Sequence, residues 1–511
     1  MMFTFKTLEA LLIVCTVLGY IAYYIKRKYE YWKDRNVPHL GASKDFVFLH
    51  HSQMHRTQIY DDLYRNYSSD QYVGFYLAGK PILMIRDLKL IRAILIKDFS
   101  HFTDHGLTII DGEPLFAKSL FNIGGHQWRR FRSKITPIFT SGRLKRMSGP
   151  VSECTEKLEK YLETVLEKSG DVQIEVREII LRFAMDTVGA CTLGLNCEAI
   201  EDENSTFTRM ARQLFQVSSN LKSLFCLILD TIHPKLNSWL RIKFTTSEVR
   251  DFFFSLTRDT IKYREGNATK REDLIQHLLN LRNEEQQMRL QGQKEHSDPL
   301  FDETGLVANA TLFFIAGFEP IASTVSYALY ELAKHPDIMA TVYEEIMIVK
   351  QFYEGNLTYE AYKHMVYMDC VLFETLRMHS HNGWLDRVCT QTYQVPGTNL
   401  IIEKNTNVII PVASVHHDPT FYPEPEKFDP ERFNEENRFK IPSCAFLPFG
   451  EGPRICIGMR FAWMEMKAAL SVIIGKYIVE PTNIPIHLNP LGHNNAPRAV
   501  YLRLKRREKW S

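Results

Sequence analysis

The chain has 511 residues, 45% hydrophobic and 24% charged, with a formal net charge of +2. That balance is ordinary for a globular protein and excludes a disordered chain, and the small net charge gives no general attraction to nucleic acid. Nine scattered cysteines, odd in number and without a C-x-x-C pair, exclude a disulfide framework and a zinc ribbon and fit a reducing compartment.

In chain order, the first element is apolar. Leu8 to Ile25, "LEALLIVCTVLGYIAYYI", contains Glu9 as its only charge and spans about 27 Å as a helix, enough to cross a bilayer core. Lys26, Arg27 and Lys28 follow at once, then Lys33 and Arg35. By the positive-inside rule this predicts a membrane anchor over 1–25 with the rest of the chain on the cytosolic side. The basic residues follow the apolar run and no small-residue cleavage site appears, which argues against a cleaved signal peptide. A mitochondrial presequence would be amphipathic and Arg-rich rather than continuously apolar. Residues 26–45 read as a basic linker, with "NVPHLGASKDF" (36–46) as the hinge, and 46–511 as one folded body.

Within that body "YVGFYLAGKPILMI" (72–85) alternates around Gly79-Lys80-Pro81 and predicts a hairpin. From Leu88 to about Lys476 the helical period dominates. "CTEKLEKYLETVLEKSG" (154–170) ends on a glycine cap, and 309–336 is a long apolar helix closed by His335-Pro336. The polar stretch 282–300 is expected to be a mobile loop. The fold class is mainly α with small β-sheets (α+β).

The chemistry concentrates in "FGEGPRICIG", residues 449–458. The segment after Gly458 is a good helix, so Cys456 stands at a helix N-terminus, where backbone N–H groups favour thiolate. Gly450, Gly452 and Gly458 would let backbone pass close to a flat, bulky partner. Arg454 supplies a fixed positive charge suited to an acidic substituent on that partner. One thiolate, an arginine and close backbone approach describe a proximal haem ligand better than a four-ligand metal site.

The pattern F-x-x-G-x-R-x-C-x-G, carried by Phe449, Gly452, Arg454, Cys456 and Gly458 with Gly450 agreeing, resembles the haem-binding signature of the cytochrome P450 family. Further stretches match in order. Glu374 and Arg377 in "FETLR" lie one helical turn apart, and Arg432 sits in "PERF"; the resemblance implies a structural network of these three residues. Trp128 and Arg132 fit W-x-x-x-R and, with Arg387 in "WLDRVC", look like haem-propionate contacts. "FTSGRLKRM" (139–147) is similar to microsomal, toxin-oxidising members, including the insect ones.

The resemblance implies the P450 fold, haem b ligated by Cys456, and insertion of one oxygen atom from O2 into a lipophilic small molecule. Electrons come from NADPH through a reductase, with cytochrome b5 a further possible donor, at the endoplasmic reticulum membrane. A thiolate ligand pushes electron density onto iron and favours O–O cleavage. On the distal side relatives carry A-G-x-[DE]-T, whereas this chain reads Ala316-Gly317-Phe318-Glu319-Pro320. Gly317 is expected to permit close approach of oxygen or substrate, and Glu319 to act in proton relay. Pro320 departs from the usual threonine, and Ser323 and Thr324 are the nearest hydroxyls downstream. Relatives lacking that threonine include monooxygenases and peroxide-rearranging isomerases, so a haem-thiolate isomerase acting on lipid hydroperoxides is the first alternative, and a non-catalytic haem sensor or carrier the second.

His379 and His381 in "HSHNGW" have no expected catalytic role, while Asn382, Gly383 and Trp384 border the expected substrate region. Between Glu113 and Glu153 there is no acidic residue but there are Lys118, Arg129, Arg130, Arg132, Lys134, Arg143, Lys145 and Arg146. Such a run would steer an acidic reductase. "HGLTIIDGEPLF" (105–116) and "LFCLIL" (224–229) suggest a lipophilic ligand.

Overall fold

The computed structural model describes residues 12, 15–16, 19–20, 23, 26–41, 55–77, 79–106, 113–169, 173–216, 245–267, 271–292, 299–488 and 494–507. Of the expected anchor, Leu12, Cys15, Thr16, Gly19, Tyr20 and Tyr23 are helical and exposed. The remainder of 1–25 lies outside the described residues, as do Gly170 and the stretch 224–229.

The linker does not hang free where it is described. Trp32 is 1% exposed and its indole N–H donates to Phe75 O (3.1 Å), while Gly74 N–H donates to Pro38 O (2.7 Å) and Gly74 O accepts from Leu40 N–H (2.9 Å). A Cβ on Gly74 would lie 2.5 Å from the Trp32 ring, so a glycine is what lets the ring dock. Of the expected hinge, residues 36–41 are tied to the sheet together with Trp32, because Trp32 and Val37 are apolar residues buried among charges, and 42–46 lie outside the described residues.

Helix α1 (Arg56–Asn66) precedes the hairpin of β1 (Tyr72–Leu77) and β2 (Lys80–Ile85), which turns at Gly79 with φ +73°. Next come α2 (Gly125–Ile135), α3 (Ser141–Ser169), β3 (Gln173–Glu175), α4 (Val176–Val188) and α5 (Leu274–Leu290). The long α6 (Glu303–Lys334) is followed by α7 (Val366–Met378), β4 (Leu385–Val388), β5 (Asn407–Ile410), α8 (Met459–Lys476), β6 (Tyr477–Pro481) and β7 (Tyr501–Arg506). One sheet has the order β1-β2-β5-β4, with β2 and β5 parallel and the other pairs antiparallel. A second has the order β3-β7-β6, all antiparallel.

The core is built around α6, which packs on α4, α7 and α8. Among the described residues it is the one helix long and apolar enough to cross a membrane, and 72% of its most apolar stretch is buried inside the protein. Its apolarity therefore belongs to a core. It starts six residues earlier than expected because Asp302 caps it, accepting from Gly305 N (2.9 Å).

The expected loop 282–300 is also corrected. Helix α5 continues to Leu290, since Arg, Glu, Gln and Met are good helix formers and the turn is anchored inward. Glu285 is 7% exposed and accepts from Phe301 N (3.1 Å). Residues 293–298 lie outside the described residues.

Candidate functional site

The segment 449–458 closes on itself through Cys456 N–H donating to Phe449 O (2.9 Å), and the Phe449 ring packs edge-on against Trp463 of α8 at 5.6 Å. Gly450 and Gly452 both have positive φ (+73° and +72°). A Cβ on Gly452 would lie 1.9 Å from Leu95 O, so this glycine serves close packing against a neighbouring backbone rather than against a bound partner. Gly452→Ala should therefore misplace the loop, with a fall in soluble, correctly loaded protein; a variant of wild-type melting temperature would refute this steric account. Gly458, at the N-cap of α8, would meet nothing with a Cβ, and its side of the loop is open.

Cys456 is exposed yet densely surrounded by protein, which puts its sulfur on the wall of a concavity. Burial pushes the thiol up, while the backbone N–H groups of Gly458 and Met459 and the charge of Arg132 act in the opposite direction. Arg132 reaches the loop directly, donating to Ile455 O (2.7 Å).

Arg387 and Arg132 are close enough to Arg454 to depress it. Arg454 falls to about 9, first through burial and then through Arg387, and Arg387 falls to about 10 through burial. Arg454 lies over the Trp128 ring at 4.3 Å and donates to the carbonyls of Thr103 (2.9 Å) and Ile123 (2.8 Å). Its nearest carboxylate, Asp104, is 4.0 Å away. Arg387 is 1% exposed, donates to Asp386 O (2.7 Å) and leaves its Nε without a hydrogen-bond partner. Buried cations so crowded call for an anionic partner.

On α6 the middle turns are mostly buried, with Ile315 and Gly317 half-buried beside one more open stripe. Ala316 is exposed, and Leu312 and Pro320 are half-buried at spacings of four residues, so they face a common open space. Gly317 does not share it. A Cβ there would lie 2.5 Å from Val188 Cγ2, so its smallness lets α4 and α6 approach, which corrects the expectation that it makes room for oxygen or substrate. Glu319 is 6% exposed and pairs with Arg177 of α4 at 2.5 Å. The hydroxyls of Ser323 and Thr324 donate back to the carbonyls of Glu319 (3.0 Å) and Pro320 (2.8 Å), so both protons are committed to the helix backbone.

Glu374 and Arg377 of α7 are both fully buried. Arg377 forks onto the carboxylate through Nε and Nη2, each at 2.7 Å, and donates to His416 O (2.9 Å) and Pro425 O (2.8 Å). Arg432 approaches Glu374 Oε1 at 3.4 Å, and Asp429 N–H donates to the same oxygen (3.0 Å). The structure thus brings these three side chains together across α7 and the turn Pro430–Phe433.

The family model described as Cytochrome P450 matches residues 38–497. The chain belongs to the cytochrome P450 family. Its relatives include a probable cytochrome P450 6a20 of Drosophila melanogaster, 34% identical over 92% of this chain and 94% of the relative. Cytochrome P450 6k1 of Blattella germanica is 36% identical over 94% of each chain, and cytochrome P450 6a2 of Drosophila melanogaster is 36% identical over 97% and 99%. The mainly helical body with small sheets is the P450 fold, and the family is one of haem-containing monooxygenases.

Haem fits the residues present in this P450. Cys456 offers sulfur on a concave wall, the Ala316 stripe leaves open space on the core helix, and the crowded arginines suit the two carboxylates that haem carries.

Two expectations are revised. Most of the basic run is matched across the fold: Lys118 pairs with Asp302 (2.6 Å), Lys134 with Glu284 (3.3 Å), Lys145 with Glu360 (2.8 Å) and Arg146 with Glu272 (2.5 Å). Chain-local absence of acid did not mean an unbalanced field. Gly383 and Trp384 pack on α1, with a Gly383 Cβ only 2.3 Å from Thr57 Oγ1 and Trp384 edge-on to Tyr60 at 5.3 Å. They brace the first helix instead of shaping a substrate surface. Of 105–116, residues 107–112 lie outside the described residues. His379 pairs with Glu331 (2.8 Å), and His381 faces Asn494 (3.2 Å). Arg177 carried no local signal, being far from Glu319 in the chain.

Proposed function

We propose that this P450 inserts one oxygen atom from O2 into lipophilic small molecules, drawing electrons from NADPH through a membrane-bound reductase, at the cytosolic face of the endoplasmic reticulum membrane with residues 1–25 as anchor. The observation that carries this reading is Cys456, set on a concave wall at the start of α8 beside three crowded arginines. Cys456 would hold the iron, and Arg132, Arg387 and Arg454 the acidic substituents, with Trp128 beneath the Arg454 guanidinium. When bound, haem supplies the redox chemistry that activates O2.

The rest falls to the chain's own side chains. Leu312, Ala316 and Pro320 present an apolar surface that suits a lipophilic substrate and excludes water. Glu319 Oε1 is held by Arg177, which orients the carboxylate, so Oε2 would be the atom that takes up a proton from water and hands it on. Pro320 offers no hydroxyl, and Ser323 and Thr324 spend their protons on the helix. Proton delivery therefore rests on Glu319, on water, or on a hydroxyl of the substrate. Exposed Arg129 on α2 and Arg460 at the start of α8 suit an acidic electron donor such as a flavin reductase or cytochrome b5.

The test is the carbon monoxide difference spectrum of the reduced protein, followed by product formed per NADPH with added reductase. The thiolate-type band and NADPH-dependent oxygenated product are expected, and Cys456→Ser should lose both. Pro320 favours one other outcome. Rearrangement of a lipid hydroperoxide without NADPH or reductase would replace the monooxygenase reading with an isomerase one.

A further inference from the structure

We infer that His416 is a positioning residue for the Cys456 loop, acting through one hydrogen bond from the backbone of Leu447. The inference rests on the proposed role of Cys456, and it begins from a buried imidazole that the reaction itself does not use.

His416 ends the short helix Val412–His416 and is 0% exposed. Its carbonyl accepts from Arg377 Nη1 (2.9 Å), which ties it to the buried Glu374 network. Its ring nitrogen Nε2 accepts from Leu447 N–H (2.8 Å), and the ring stacks on Phe446 at 5.4 Å. Tyr422 O–H donates to Ala445 O (3.0 Å), so the stretch entering the loop is gripped at both ends. Leu447 O in turn accepts from Gly450 N (3.0 Å), and Phe449 O accepts from Cys456 N (2.9 Å). One continuous chain of contacts therefore joins Glu374 and Arg377 to the cysteine through His416.

The chemistry of the ring supports a specific task. Accepting from an amide requires a bare Nε2, so the proton sits on Nδ1. Nδ1 makes no well-aligned hydrogen bond, although the backbone carbonyls of Arg377 and Leu376 lie close enough to act on it. Burial first, then His417 and Arg377, pushes His416 down to about 3, so the acceptor persists at neutral pH. A buried N–H with no well-aligned acceptor gains little, and an apolar side chain would fill the space without it. What only a polar side chain supplies here is the acceptor for Leu447.

The experiment compares His416→Met with His416→Gln in the full chain, two unbranched side chains that differ in whether they offer an acceptor. Hydrogen exchange of the Leu447 amide and the share of protein showing the thiolate-type carbon monoxide band are measured for each. His416→Met should exchange about tenfold faster, as expected for a buried donor left unpaired. Most of its thiolate-type band should also be lost. His416→Gln should stay near wild type in both. Wild-type exchange in the Met variant, or a Gln variant as impaired as Met, overturns the inference. Should the Met variant not accumulate, the Gln variant decides by the same criterion. Exchange does not depend on iron, so a wild type without the thiolate band would sink the haem-thiolate reading while the latch was still judged by exchange.

Discussion

Glu374→Ala should leave almost no haem-loaded protein. In the wild type the carboxylate is fully buried and satisfies two Arg377 donors and the Asp429 N–H, with Arg432 3.4 Å away. Removing it strands the Arg377 guanidinium, itself 0% exposed, without a counter-charge. Breaking a buried pair by deleting one partner costs about 3–5 kcal/mol, a large share of the stability of any domain. The loss would also reach the loop, because Arg377 holds the His416 and Pro425 carbonyls. Haem per polypeptide and the thermal midpoint of the purified variant are the measurements. A wild-type midpoint with full haem would show that the network is dispensable. Glu374→Gln, which keeps one acceptor but no charge, should fall between the two.

The second large effect runs the other way: Glu465→Met should stabilise the protein. Glu465 lies on α8, 0% exposed, and neither carboxylate oxygen has a hydrogen-bond partner. It sits near the buried thiols of Cys154 and Cys191, which give no counter-charge. Burial alone pushes the group well above the usual carboxylate range, so it is held protonated in the folded state. A group whose folded pKa is raised is at no disadvantage below its unfolded value of about 4.3, and its contribution is lost as pH rises toward the folded value. Wild-type stability should therefore decline as pH rises above about 4.3, where the unfolded chain ionises Glu465 while the folded chain resists ionisation. Methionine fills a similar volume without a polar atom, which removes the cost of about 1–3 kcal/mol for a buried polar group left unsatisfied. The melting midpoint of Glu465→Met should rise at pH 7.5 more than at pH 5. An equal or lower midpoint at both would mean that the carboxyl is hydrogen-bonded after all.

Much of the site was legible because its signals are local. A helix N-terminus after a glycine-rich turn is written in consecutive residues, so Cys456 and its loop could be placed from 449–458 alone. An i,i+3 pair needs only helical periodicity, so Glu374 and Arg377 could be put on one face. The hairpin at Gly79 and the apolar run of α6 follow from turn chemistry and composition in the same way. What periodicity does not encode is which face of an element meets which partner. Gly317 lies within the distal motif, yet its open side is filled by Val188 of α4, while Ala316 beside it faces free space. Gly452 answers to Leu95, and Trp32 to Gly74. The acids that balance the basic run, the arginine that holds Glu319, and the imidazole that steadies Leu447 all arrive from distant parts of the chain. Chain-local chemistry thus determined the family, the cysteine proposed to hold iron, and the main helices. Packing alone decided how the charges pair and which small residues line the open space, because those depend on contacts between elements far apart in sequence.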